Sequence, residues 1–260
     1  MLYRASRISI LFLMFSAVLF LSGCAPSNTA VAPERAGIWN NFIYSISDAL
    51  DWFAAHLWGQ YGLAILVVTV IIRLCILPLN IKQYKSMKKM QELQPEMNKL
   101  KEKHKDDPKK QQEEMMKLFQ ENQVNPLGGC FPLIIQMPFI YALYMAISPQ
   151  TLYNAQVGAH KFLWTTLGQP DPFYVLAILA ALTTAIQQLM MMAQNTNQQS
   201  QVQMRIMLVV FPVMIFVMSM NFPAALPLYW VYTNLFTIIQ NYFLYGGSKS
   251  NTELKGGLAK

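Results

Sequence analysis

Arg73 is the only charged residue in the five long apolar stretches that follow residue 58. It sits in the run LVVTVIIRLCILPL, nine residues before Lys82 and so about 13 Å from it along a helix. At such depth in a membrane, an uncompensated guanidinium costs at least ~2.5–3.5 kcal/mol. The chemistry open to it is the attraction of anions. Other polar groups fall at a similar level. Gln136 lies eight residues after Gly128, and Gln187 seven before Gln194. In the last stretch Trp230, Asn234, Thr237 and Asn241 are spaced i, i+4, i+7 and i+11, which puts them on one helical face.

Each of these residues has a bland reading when taken singly. A Gln or Asn in a membrane helix is commonly a tie between helices, worth about 0.6 kcal/mol. A Thr often bonds its own backbone. An Arg near a helix end reaches for the headgroups. Together the residues point elsewhere, because no Asp or Glu lies in any apolar stretch to neutralise Arg73. Water is the remaining partner. The expected site is a hydrated cavity lined by Arg73, Gln136, Gln187 and the Trp230, Asn234, Thr237 and Asn241 stripe. Near the other ends of the stretches stand Leu63, Ile65, Leu66, Tyr141, Leu143 and Leu176. That argues for a groove closed on one side rather than a channel.

Catalysis is not expected. The stretches hold no acid, the chain has no HExxH, and His56, His104 and His160 all lie outside them. Ser219 has no Lys or His in the adjacent helical turns. No metal, nucleotide or other cofactor site is visible. A transporter or channel for an anionic solute is the alternative class. Such proteins usually carry broken helices and internal repeats, and neither is evident.

The elements that position these residues follow from composition. The chain is 54% hydrophobic and 13% charged, with net charge +7. That is an all-α polytopic membrane composition. The expected order starts with a signal peptide at 1–23: Arg4 and Arg7, an apolar run, then Leu21-Ser22-Gly23-Cys24, which resembles the bacterial lipobox. In such signals the cysteine, here Cys24, is acylated and becomes the first mature residue. A lipid-anchored tether and an outer amphipathic helix follow at 24–58, rich in aromatics and expected to lie on the outer face. Five spans are expected at 59–81, 128–149, 172–193, 206–220 and 226–246. Between them lie a cytosolic helical hairpin (82–127), an outer loop (150–171), a cytosolic loop (194–205) and an outer turn (221–225). A cytosolic tail occupies 247–260.

Orientation follows from lysine. Eleven lysines lie between residues 82 and 117, which puts that segment and the C-terminus in the cytoplasm of a bacterial plasma-membrane protein. In the hairpin Met90, Leu93, Met97 and Leu100 follow a 3–4 spacing, as do Met115, Met116 and Phe119, with Lys105-Asp106-Asp107-Pro108 as the turn. The seam reads equally as a solvated spacer and as a methionine-bearing arm that touches hydrophobic clients through Met87, Met90, Met97, Met115 and Met116.

The stretch from Asn125 through Gly128, Gly129 and Gln136 to Pro138, and the stretch Asn221-Phe222-Pro223-Ala224-Ala225-Leu226-Pro227-Leu228-Tyr229-Trp230, resemble the signatures of the YidC/Oxa/Alb membrane protein insertases. The lipobox is similar to that of the Gram-positive members. The resemblance implies a five-span core with a hydrophilic groove facing the cytosol in the inner leaflet. The family's arginine falls on Arg73, its groove glutamines on Gln136 and Gln187, and its last-span aromatic on Trp230. The implied partners are nascent membrane proteins with short acidic extracytoplasmic flanks and the lipid bilayer. The Sec translocon and the ribosome are candidate further partners, and no specific nucleic acid is expected.

Overall fold

The computed structural model describes residues 37–124, 131–147, 155–192 and 198–257. The signal peptide, Cys24, the tether, Cys130 and residues 193–197 lie outside the described residues. Cys75 is a free, exposed thiol.

Helix α1 (Gly37–His56) is amphipathic, as its aromatics and polar residues suggest. Part of its apolar surface is covered by the chain itself. Ile43, Tyr44, Ser47, Leu50 and Ala54 are buried on the face that packs against α2 (Tyr61–Glu92) and α5 (Phe131–Ile147). Trp39 and Trp52 stay exposed. The helix expected to lie on the outer face thus has one face docked on the bundle. A hydrogen bond from Tyr61 Oη to Asp51 Oδ1 (2.8 Å) fixes the α1–α2 corner. Gly59, at φ 75, makes that corner passable.

Helix α2 has 32 residues, so it is about 48 Å long. A bilayer's hydrocarbon core is ~30 Å thick, leaving roughly 18 Å outside it. The helix runs through Lys82 without a break, despite Pro78. The span expected at 59–81 and the start of the hairpin expected at 82 thus lie on one continuous helix. One rod carries both. The short α3 (Gln94–Lys103) and α4 (Pro108–Glu121) then pack together. Asp107 caps α4 by accepting from Lys110 N (3.1 Å), and Pro108 occupies the first turn, where its missing N–H is harmless. Met97 and Phe119 are the buried side chains of the pair. The exposed Lys117 ammonium donates to Glu114 (2.9 Å) and holds its carboxyl below the ordinary range, a tie of little weight at the surface.

After α5 come a short helix α6 (Ala155–Ala159) and a two-stranded hairpin, β1 (Lys161–Phe162) with β2 (Thr165–Thr166), in which Lys161 pairs with Thr166. An all-α expectation omits this hairpin. Then follow α7 (Val175–Met192), α8 (Gln198–Asn221) and α9 (Ala225–Gly257). Helix α7 packs on α8 and α9, α9 packs on α2, and α1 ties α2 to α5. Among the described residues, α2 and α7 are long and apolar enough to cross a membrane, and the apolar parts of α5 and α8 are shorter.

The main core lies at the end where the hairpin sits. Leu50, Ile65, Ile147, Leu167, Leu176 and Leu226 belong to one buried cluster there. The loop folds into it rather than over it. Ala224 N donates to Gln169 O (2.7 Å), and Ala225 N to Leu167 O (3.0 Å). Gly158 and Gly168 touch backbone to backbone: a Cβ on Gly168 would stand 2.7 Å from Gly158 O.

Candidate functional site

The arginine is held by three helices. Arg73 is 12 residues into α2, about 18 Å from Tyr61 along the axis. Its Nη2 donates to Gln136 Oε1 on α5 (2.9 Å). The Gln136 amide nitrogen in turn donates to the Tyr229 hydroxyl on α9. Arg73 and Gln136 are half-buried, and Tyr229 is fully buried.

The chain of bonds has a direction. A guanidinium only donates, so it needs the oxygen of the Gln136 amide. The amide nitrogen must then face the other way, where the Tyr229 oxygen accepts it. A charge-assisted bond of this kind is worth about 1.5–3 kcal/mol. That offsets much of the ~2.5–3.5 kcal/mol insertion cost of the cation. Arg73 is thus served first by an amide oxygen of its own chain, and not by water alone as the sequence suggested. A guanidinium has five N–H donors, and one is committed here to a described residue. The others remain for water or a carboxylate.

The remaining predicted residues divide. Asn234 is 4% exposed, and its Nδ2 donates to Thr184 Oγ1 (2.8 Å) and Thr183 Oγ1 (3.0 Å) on α7. Both threonines also bond Ala180 O within their own helix. Trp230 packs against the second buried cluster, with Ala180, Ile215 and Phe211. These two residues meet α7 and α8. Thr237 Oγ1 donates to Thr233 O in its own helix (2.8 Å). Asn241 is buried, and Gln187 is half-buried one turn below Thr183 and Thr184. Of the hairpin methionines, Met97 is buried, Met87, Met90 and Met115 are half-buried, and Met116 is exposed.

Tyr229 is the residue that sequence reasoning missed. The helical period held the signal: Tyr229 and Asn234 are about 140° apart around α9, so the Asn234 stripe cannot include it. On the far side of Tyr229 the helices close. Ile65, Val68, Thr69, Ile72, Leu143 and Tyr229 surround a gap of about 10 Å³, room for one water at most. No group of three or more His, Cys, Asp or Glu able to hold a metal exists among the described residues.

A family model described as the 60Kd inner membrane protein matches residues 52–251. The chain is 46% identical over 245 residues to the membrane protein insertase YidC 2 of Bacillus anthracis, covering 92% of this chain and 94% of that one. The chain belongs to the YidC family of membrane protein insertases. The insertase is also 44% identical over 253 residues to membrane protein insertase MisCA of Bacillus subtilis strain 168, covering 95% of each chain. Its fold is similar to the crystal structure of an active YidC insertase with its first transmembrane domain resolved, at TM-score 0.61 and 27% identity. That alignment covers 80% of the insertase and 47% of the solved chain, so the insertase spans about half the length of the solved protein. Arg73, Gln136 and Tyr229 all fall within the matched residues.

Proposed function

We propose that this membrane protein insertase moves client segments without a pore, through a positively charged groove open to the cytosol and closed on the outer face. Helices α2, α5, α7, α8 and α9 are the five spans of this reading, and the α3–α4 pair is its cytosolic hairpin. The hairpin end of the bundle, with β1 and β2, is then the outer face. The N-terminus lies outside, anchored through Cys24, and the C-terminus lies in the cytoplasm.

A client hydrophobic segment with a short acidic flank approaches from the cytosol and meets the hairpin through its methionines. Its carboxylates are drawn to the free donors of Arg73, in a setting where charge interactions are stronger than in bulk water. Gln187 and Asn241, lower in the spans, extend the polar path. The membrane potential favours moving each acidic charge outward by ~2.3 kcal/mol per 100 mV. The apolar segment then leaves sideways into lipid, driven by burial of its own side chains. The Sec translocon and the ribosome are partners that could feed such a site.

The observation that carries this reading is the half-buried Arg73, bonded to Gln136 and facing no acid of its own spans. The test is insertion of an acid-flanked single-span client into vesicles holding Arg73→Ala or Arg73→Lys. Arg73→Ala should lose insertion and Arg73→Lys should keep it, because a point charge suffices. A client with a neutral flank should be indifferent to both. Wild-type insertion of the acidic client by Arg73→Ala contradicts the reading.

A further inference from the structure

Four described residues other than glycine have positive φ, and three of them are bulky, apolar in the main and exposed at the hairpin end. They are Trp58 (φ 55), Leu163 (φ 56) and Tyr174 (φ 56). Their exposures are 86%, 65% and 48%. A left-handed backbone is disfavoured for such side chains and persists only where the surroundings impose it. Beside them Trp164 and Phe173 are also exposed.

One carboxylate organises this rim. Asp171 is 2% exposed. Its Oδ1 accepts from Trp164 Nε1 (3.0 Å) and Phe173 N (3.1 Å), and its Oδ2 accepts from Leu176 N (2.8 Å). The hairpin tip is thereby fixed to the first turn of α7. On the other side the Tyr61 ring lies on the His160 ring at 4.5 Å, and Gly62 leaves space only for the Phe162 ring. Those contacts join the rim to the α1–α2 corner that carries Trp58.

The rim runs into an exposed stripe on α7: Val175, Ile178, Leu182, Ile186 and Leu189. These positions share one helical face. In a membrane protein such a face meets acyl chains, so the rim lies where that surface ends.

We propose that Trp58, Leu163, Trp164, Phe173 and Tyr174 form an interfacial anchor seated at the headgroup–acyl boundary of the leaflet at this end, the outer one in the topology above. The occupant is lipid, because the rim continues a lipid-facing surface. Aromatic rings with one polar edge also favour that boundary. Asp171 satisfies the Trp164 indole N–H inside the protein, which removes the reason for that ring to stay near water. Trp164 therefore sits deeper than Trp58. The inference rests on the chain crossing a bilayer and not on the groove.

The test uses the full chain in phosphatidylcholine vesicles, with Trp58 or Trp164 as the only tryptophan and the other four replaced by phenylalanine. Lipids brominated at shallow or deep acyl positions and aqueous iodide are the quenchers. Both tryptophans should be quenched several-fold more by brominated lipid than by iodide, and Trp164 by deeper bromines than Trp58. Asp171→Ala should move Trp164 toward the shallower bromines. Should the single-tryptophan chains or Asp171→Ala fail to fold, difference spectra of Trp58→Phe and Trp164→Phe give the same depths. Iodide quenching near that of free indole overturns the anchor. So does shielding from both quenchers at high lipid-to-protein ratio, which would mean that protein fills the seat. Loss of the Arg73 effect on insertion would leave these depths unchanged.

Discussion

Tyr229 and Asn234 stand five residues apart on α9 and serve different seams. The Tyr229 hydroxyl takes the Gln136 amide from α5, and the Asn234 amide donates to Thr183 and Thr184 of α7. Helix α9 therefore presents one polar face to the arginine and another to a helix interface.

That division predicts unequal mutants. Asn234→Leu removes a tie between α7 and α9 but leaves the threonines bonded to Ala180. Stability in detergent should fall by about 1 kcal/mol. Insertion of an acid-flanked client should persist at close to the wild-type rate. Abolished insertion by a folded Asn234→Leu would place that residue in the groove after all.

Gln136→Glu puts a carboxylate where the amide oxygen now stands, 2.9 Å from the Arg73 nitrogen. It would neutralise the cation from within and repel a client's acidic flank. Insertion of acid-flanked clients should fall at least tenfold, about 1.4 kcal/mol of barrier. Gln136→Leu should be milder, since it frees Arg73 rather than occupying it. Initial insertion rates of the two variants, measured side by side, check the order.

Much of this was legible in the sequence, and the failures have physical causes. Apolar length marks α2 and α7, the two described helices long and apolar enough to cross a membrane, and Asp107-Pro108 marks the α3–α4 turn, supplying both a cap and a residue suited to the first turn. The singular charge of Arg73 needed only a count. The β1–β2 hairpin was invisible because strands of two residues are too short to show a period. The docking of α1 was missed because an amphipathic stripe looks the same whether protein or lipid covers it. The continuity of α2 through Lys82 was not legible, because composition changes there while the backbone continues. Tyr229 was overlooked because the longer stripe beside it drew the eye to another face.

The loop that closes the hairpin end should tolerate little. A Cβ on Gly168 would meet the Gly158 carbonyl, which is backbone and cannot rotate away. Gly168→Ala should lower stability by about 1–3 kcal/mol. The unfolding midpoint in detergent checks this.

In the α3–α4 pair Met97 and Met116 should separate packing from contact. Met97 is 8% exposed and Met116 is 45% exposed. Met97→Ala should destabilise the pair by about 2–5 kcal/mol, and Met116→Ala should hardly affect it. A photo-crosslinker at Met116 should capture a stalled client, and one at Met97 should not.

The central claim is that the arginine's pocket is wet from the cytosol and sealed from outside. Labelling of Gln136→Cys by a charged, membrane-impermeant thiol reagent tests it directly, in a background lacking the other free thiols. Inside-out vesicles should label and right-side-out vesicles should not. Labelling from the outer face, or from neither face, would contradict the account.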